Sequence, residues 1–386
     1  MATLLPQELI EKVLQHVYYN TDLSRPDYGT LLACCLICKT WSGQAQRMLF
    51  LSIVLNTTTA GSLITSTSDH TQALLASVRC LDLEEKLETR TQINSMHMAD
   101  DQVLVESTLI AAITRCTGLY ELSFRVKNLH KFSDKTVIQL FQLARRADIR
   151  PLRAVKLPTF GVLSPLLFQI MQIWPTIQFV RLGQELGAIH PRSLTPTFQL
   201  YELTLLRVPT RNVEAIEWLL SASIGHLRIL HLRDEPGKAY DNIFQIHGPH
   251  LESLRLYNQN KRTSALLRMC PNLKEFVITI LSDFLPLENL PESLEHLSFR
   301  NYIWAKNNRL VSVIDAIDKL PNLRVVSCDP NGKSHPDWST LEEKCLKRGI
   351  NLEADALPIF AYEDPVRVRR YPRVNSVLNF ALMNQT

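Results

Sequence analysis

One pattern of six positions, apolar-x-x-apolar-x-apolar, returns ten times from residue 78 onward. Its copies begin at Val78, Leu119, Leu152, Ile177, Leu200, Leu227, Leu251, Leu273, Leu294 and Leu323. In each copy the last two apolar positions alternate with other residues, as in Leu203-x-Leu205 and Leu254-x-Leu256, which is the period of a half-buried strand. Between copies the spacing turns helical. Residues 133–147 place Val137, Leu140, Phe141 and Ala144 on one face, and residues 309–320 align Leu310, Val313, Ile314 and Ile317. Ser164 and Pro165 open another helix as N-cap and first-turn proline. Pro-Asn-Leu at 271–273 and again at 321–323 marks a turn that hands a helix to the next strand.

Strand, turn, helix and turn in rotation is the unit of a leucine-rich repeat. Intervals between copies from residue 119 onward run from 21 to 33 residues, and the polar residue usual after the third apolar position is mostly missing. These are degenerate repeats, so an irregular curved solenoid is expected, with parallel strands on its concave face and helices of uneven length on its convex face. Residues 51–77, rich in Thr and Ser, are expected to hold one strand at 51–55 and then a loop, and 84–101 reads as a second loop. No copy follows residue 349, so 350–386 reads as a cap and tail.

The first fifty residues are patterned differently. Pro6 suits the first turn of a helix over 6–18, along which Leu9, Val13, Leu14 and Val17 recur at helical spacing. Turn formers fill 20–29, an apolar run follows over 30–38, and a third helix is predicted over 42–49. Three short helices bury too little surface to be strongly stable without a partner or neighbouring domain. Leu5-Pro6-x-Glu8-Leu9, then Val13-Leu14, then Leu31 and Ile37-Cys38-Lys39-x-Trp41, resembles the F-box motif, and the order of the parts is similar to that of fungal F-box-domain-containing proteins with degenerate leucine-rich repeats. The insertion around 18–29 departs from that pattern.

The expected fold class is therefore α/β. A three-helix F-box at 1–50 is followed by a strand and linker at 51–77, the repeat array at 78–349 and the C-terminal cap and tail at 350–386. The resemblance implies docking on a Skp-family adaptor, and through it on a cullin–RING ubiquitin ligase. Adaptor-binding residues implied by the motif are Leu5, Pro6, Glu8, Leu9, Ile10, Val13, Leu14, Leu31, Ile37, Cys38, Lys39 and Trp41, since such interfaces draw most of their energy from a few large side chains. The expected role is that of a non-catalytic substrate receptor, with cytoplasmic or nuclear location. The alternative is a leucine-rich-repeat scaffold acting outside a ubiquitin ligase.

Composition narrows the chemistry. The chain has 386 residues, 46% hydrophobic and 21% charged, enough to bury a sizeable core. Its net charge of +4 is too mild to imply nucleic acid, and no stretch approaches the 18 uninterrupted apolar residues of a membrane span. The eight cysteines include a single Cys-x-x-Cys, Cys35 with Cys38, inside an apolar run, so buried free thiols in a reducing compartment are expected and no metal. No glycine-rich phosphate loop and no Gly-x-Ser-x-Gly elbow is present, and no cofactor is expected.

Within each repeat, the residues flanking the second apolar position point away from the core. By that rule Phe179, Arg181, His231, Arg233, Arg255, Tyr257, His296 and Arg300 form a basic, aromatic strip on the concave face, the candidate substrate surface. An acidic or phosphorylated segment is the substrate such arginines would clamp, because a guanidinium holds carboxylate or phosphate with two parallel hydrogen bonds.

Overall fold

The computed structural model describes residues 5–18, 26–56, 61, 68–84, 98–125, 129–192, 195–282, 285–299 and 310–354. The chain packs as two compact units, one built on Met1–Ile177 and the other on Gln178–Ile359.

The first unit starts with three helices, α1 (Gln7–His16), α2 (Tyr28–Cys35) and α3 (Lys39–Leu49). Asp27 caps α2 by accepting from the Thr30 backbone N–H at 3.0 Å. Four parallel strands follow, β1 (Ser52–Asn56), β2 (Cys80–Glu84), β3 (Glu121–Arg125) and β4 (Ala154–Thr159), with α4 (Asp69–Ala76), α5 (Met98–Arg115) and α6 (Asp134–Ala144) between them and α7 (Leu166–Ile173) after β4. The expected strand at 51–55 is present as β1. Of the loop expected after that strand up to residue 77, residues 69–76 form α4; of the loop expected over 84–101, residues 85–97 lie outside the described residues and α5 begins at Met98. Within α4 only Leu75 is buried, whereas α5 buries Val105, Leu109, Ala112 and Ile113 along one face.

The second unit continues with β5 (Phe179–Leu182), β6 (Glu202–Leu205), β7 (Ile229–Leu232), β8 (Ser253–Asn258), β9 (Glu275–Ile280), β10 (His296–Phe299), β11 (Val325–Cys328) and β12 (Asn351–Ala354). Each pairs in parallel with its sequence neighbour. Helices α8 (Val213–Leu220), α9 (Asp241–His247), α10 (Lys261–Leu267), α11 (Val311–Lys319) and α12 (Trp338–Arg348) fill most of the crossovers. Strand β12 lies beyond the last copy expected from sequence. The two diagnostic apolar positions are taken there by Gly349, a left-handed helix cap with φ of 65°, and by Ala354, so the pattern fades although the pairing does not.

Regular stacking comes from one repeated backbone device. At the entry to most of the strands a single carbonyl of the previous repeat accepts from two successive amides. Tyr201 O accepts from Arg228 N and Ile229 N at 2.9 and 3.1 Å, Arg228 O from Glu252 N and Ser253 N at 2.8 and 2.9 Å, and Lys274 O from Glu295 N and His296 N at 2.8 and 2.9 Å. The turn asparagines reach back in the same way, Asn272 Nδ2 donating to Pro249 O at 2.8 Å and Asn322 Nδ2 to Glu292 O at 2.9 Å. On the core side of the strands Leu203, Leu230, Leu254, Phe276, Leu297 and Val326 share one register row. All are buried. Full burial of each stabilises by about 1.5–3 kcal/mol. The described part of each unit is a solenoid-like α/β stack.

Candidate functional site

Two surfaces carry the residues singled out by sequence. On α1, helical spacing divides the apolar residues into two faces. Ile10 and Leu14 point inward and join Tyr18, Leu31, Cys34, Trp41, Ala45, Met48, Leu51 and Cys80 in one core cluster, with Cys38 packed against it. Leu5, Leu9 and Val13 stay exposed, Leu9 by 46%. Pro6, Glu8 and Lys39 are exposed as well, and so is Ile37 at the end of the second apolar run. Of the residues implied by the motif, Ile10, Leu14, Leu31 and Trp41 are thus fixed inside the bundle. Their apolar atoms complete its own core, so they hold the three helices together and are not available to touch a partner. Two exposed residues absent from that set, Leu32 and Leu36, are among the most open apolar side chains of the bundle. Their signal in the sequence is the length of the apolar run from 31 to 37, more than one face of a short helix can bury.

The second surface is the other face of the strands. In the second unit its residues form two rows. One runs Phe179, Glu202, Ile229, Ser253, Glu275, His296, Val325, and the other Arg181, Thr204, His231, Arg255, Val277, Ser298, Ser327. Charged residues were expected to lie open here, yet Arg181, His231, Arg255 and His296 are buried, Arg255 to 2% exposure. Phe179, Arg233 and Tyr257 are half-buried, and Arg300 lies outside the described residues. The cause is strand spacing: neighbouring parallel strands lie about 4.8 Å apart, so long side chains in one row cover one another.

Glu275 is the centre of this face. Its carboxylate accepts from Ser253 Oγ at 2.6 Å and from Arg255 Nε and Nη2 at 3.3 Å, and it faces His296 Nδ1 at 3.2 Å. Burial alone would raise its pKa, but Arg255, His296 and the Ser253 hydroxyl outweigh burial and hold it below the usual carboxylate range. His296 continues the chain through Nε2, 2.8 Å from Ser327 Oγ, which lies 2.9 Å from Ser298 Oγ. His231 sits in the opposite setting. Burial, then the positive charges of Arg255, Arg181 and Arg233, push its pKa well below the ordinary value, so it is a neutral ring among guanidinium groups.

In the first unit the corresponding face carries Lys156 paired with Glu121 at 2.7 Å, both buried, and Arg125 bridging Asp82 and Glu84 at 2.8 and 3.0 Å. Burial raises the Asp82 carboxyl, with Arg125 only partly opposing it.

Ser327 was not among the residues picked from the pattern, although alternation between Val326 and Cys328 places it on the same face as Arg255. No family model matches the chain, and no curated protein sequence matches it either. Among the described residues, no group of His, Cys, Asp and Glu side chains is arranged to hold a metal ion, and no helix is long and apolar enough to cross a membrane.

Proposed function

We propose that the chain is the substrate-receptor subunit of a Skp–cullin–F-box ubiquitin ligase. Its N-terminal helices would dock on a Skp-family adaptor while the repeat strands hold a protein substrate. The observation that carries this reading is the apolar surface left open on a small, otherwise well-packed bundle: Leu5, Leu9, Val13, Leu32, Leu36 and Ile37 are all exposed, and Leu5, Leu9, Val13 and Ile37 belong to the motif that resembles an F-box. Exposed apolar side chains in such number favour a protein partner. The mechanism would be proximity, raising the local concentration of a substrate lysine near a charged ubiquitin carrier. On the strand face, Phe179, Arg233 and Tyr257 are the candidates left to touch a substrate, because Arg255 is already engaged by Glu275.

The test is capture of a purified Skp-family adaptor by the full chain. Leu9→Glu combined with Val13→Glu should weaken capture at least tenfold and leave the circular dichroism spectrum unchanged, as both side chains are solvent-facing. Undiminished capture by the folded double variant would remove the docking surface proposed here. A chain that binds no adaptor, yet holds its partners through the repeats, would instead be an interaction scaffold.

A further inference from the structure

The residues just before the strands form a row of their own along the strand-entry turns. In the second unit this row is compensated in charge: Glu252 lies 3.0 Å from Lys274 Nζ and 3.3 Å from Arg228 Nε. In the first unit the row reads Leu51, Arg79, Tyr120, Arg153. Arg79 N donates to Leu51 O at 2.9 Å, Tyr120 N to Arg79 O at 2.8 Å and Arg153 N to Tyr120 O at 2.9 Å. It holds two guanidinium groups and no carboxylate.

One of these groups is fixed in advance. Arg79 Nη1 donates to the carbonyls of Ala76, Val78 and Gly118 at 3.1, 3.3 and 2.9 Å. A Cβ at position 118 would fall 1.6 Å from Nη1, so only glycine leaves room for the guanidinium there. With Nη1 engaged by carbonyls, the other edge of the fork, Nε and Nη2, is left for a ligand. A third guanidinium comes from the following turn, where Arg150 N donates to Thr117 O at 2.8 Å and so seats Arg150 beside the glycine that anchors Arg79. Burial, and then the charge of Arg150, lower the Arg79 pKa from its ordinary value.

Among the described residues, none of Arg79, Arg150 and Arg153 pairs with a carboxylate, and Arg153 Nε is enclosed without an acceptor. Residues 145–153 bring four arginines against one acid, Asp148, and Arg146 already engages it through Nε at 3.0 Å and Nη2 at 2.5 Å. All three unpaired arginines are half-buried, so their charges are partly withdrawn from water. Like charges gathered in this way favour an anion between them. A guanidinium fork held in place is suited to phosphate, which it grips with two parallel hydrogen bonds.

We propose that Arg79, Arg150 and Arg153 form a binding site for a phosphate monoester, whose dianion supplies the charge that the row lacks. Arg79 takes the phosphate oxygens through Nε and Nη2, and Arg150 and Arg153 complete the compensation. Three recessed groups suit one phosphate, whereas a nucleic acid draws its affinity from many contacts along its backbone. This inference rests on neither the adaptor surface nor the strand face, and it stands or falls apart from the ubiquitin-ligase reading.

The test is isothermal titration of the full-length chain, at near-physiological salt, with phenyl phosphate, with a phosphoserine peptide and with the same peptide unphosphorylated. Binding of one phosphate per chain is expected, and the tighter of the first two ligands shows whether a free ester or a phosphorylated side chain is the better occupant. Affinity should fall at least tenfold in Arg79→Gln and in Arg150→Gln. It should fall as far in Arg79→Lys, which keeps the charge and loses the fork, and thermal melts show that each variant is folded. Below about pH 6 binding should weaken as the phosphate takes up a proton. Folded wild-type chain that binds neither phosphate ligand overturns the proposal. So does undiminished binding by folded Arg79→Lys, or a single-stranded oligonucleotide that displaces both ligands, since either outcome would reduce the site to a diffuse basic surface.

Discussion

At the scale of single residues, the strand face of the second unit is governed by how buried charges are compensated. Arg255 and Glu275 are both almost fully enclosed, so removing one leaves the other charged and unpartnered across that contact. Breaking a buried pair in this way costs about 3–5 kcal/mol, whereas an apolar pair of similar volume is often tolerated. Arg255→Ala or Glu275→Ala should therefore lower the urea midpoint far more than the combined Arg255→Met and Glu275→Leu, and equal losses in all three would argue against a buried pair. The histidines set a pH dependence. His231 and His247 are both kept neutral, chiefly by burial, His247 with a pKa pushed down to about 4. Below about pH 6.5 the unfolded chain binds protons that the folded chain refuses, so stability falls as pH drops, by up to about 1.4 kcal/mol per unit for each ring. Urea midpoints at pH 7.5 and 5 should differ in that sense, and His247→Gln should shrink the difference.

At the scale of elements, the helices and strands are joined at turns with little room. A Cβ added at Gly248, after α9, would lie 2.3 Å from Met269 O, so the turns of adjacent repeats touch through backbone. Gly248→Ala should cost about 1–3 kcal/mol, the usual range for forcing atoms into a packed site, and an unchanged melting temperature would show that the turn yields. Elements with a strong internal period were legible in the sequence: ten six-residue copies mark β2 to β11, and α6 and α11 were found from their apolar stripes. Elements that rely on their neighbours were not. Strand β12 pairs along its length with β11 although Gly349 and Ala354 occupy its pattern positions, and α4 offers one buried leucine. In the site, the side to which each residue points was legible, because alternation is a local property. Its burial was not, because the cover over Arg255 and His296 comes from strands twenty or more residues away in the chain.

At the scale of the whole molecule, repeats in contact only with their neighbours gain stability one interface at a time. Amides of β8 and β9, each flanked by strands on both sides, should exchange with deuterium more slowly than those of β12, which pairs on one side with β11 among the described strands. Equal protection would mean that the unit opens only as a whole. Such arrays can ordinarily lengthen or shorten by gaining or losing a repeat. The bonds from Ser253 and Arg255 through Glu275 and His296 to Ser327 restrict that freedom, since they cross four strands in a fixed order. A repeat inserted between β9 and β10 would carry the imidazole about 4.8 Å further from its carboxylate and strand both in the interior. The segment from β8 to β11 is thus a block that must be inherited entire, and changes in repeat number are confined to either side of it.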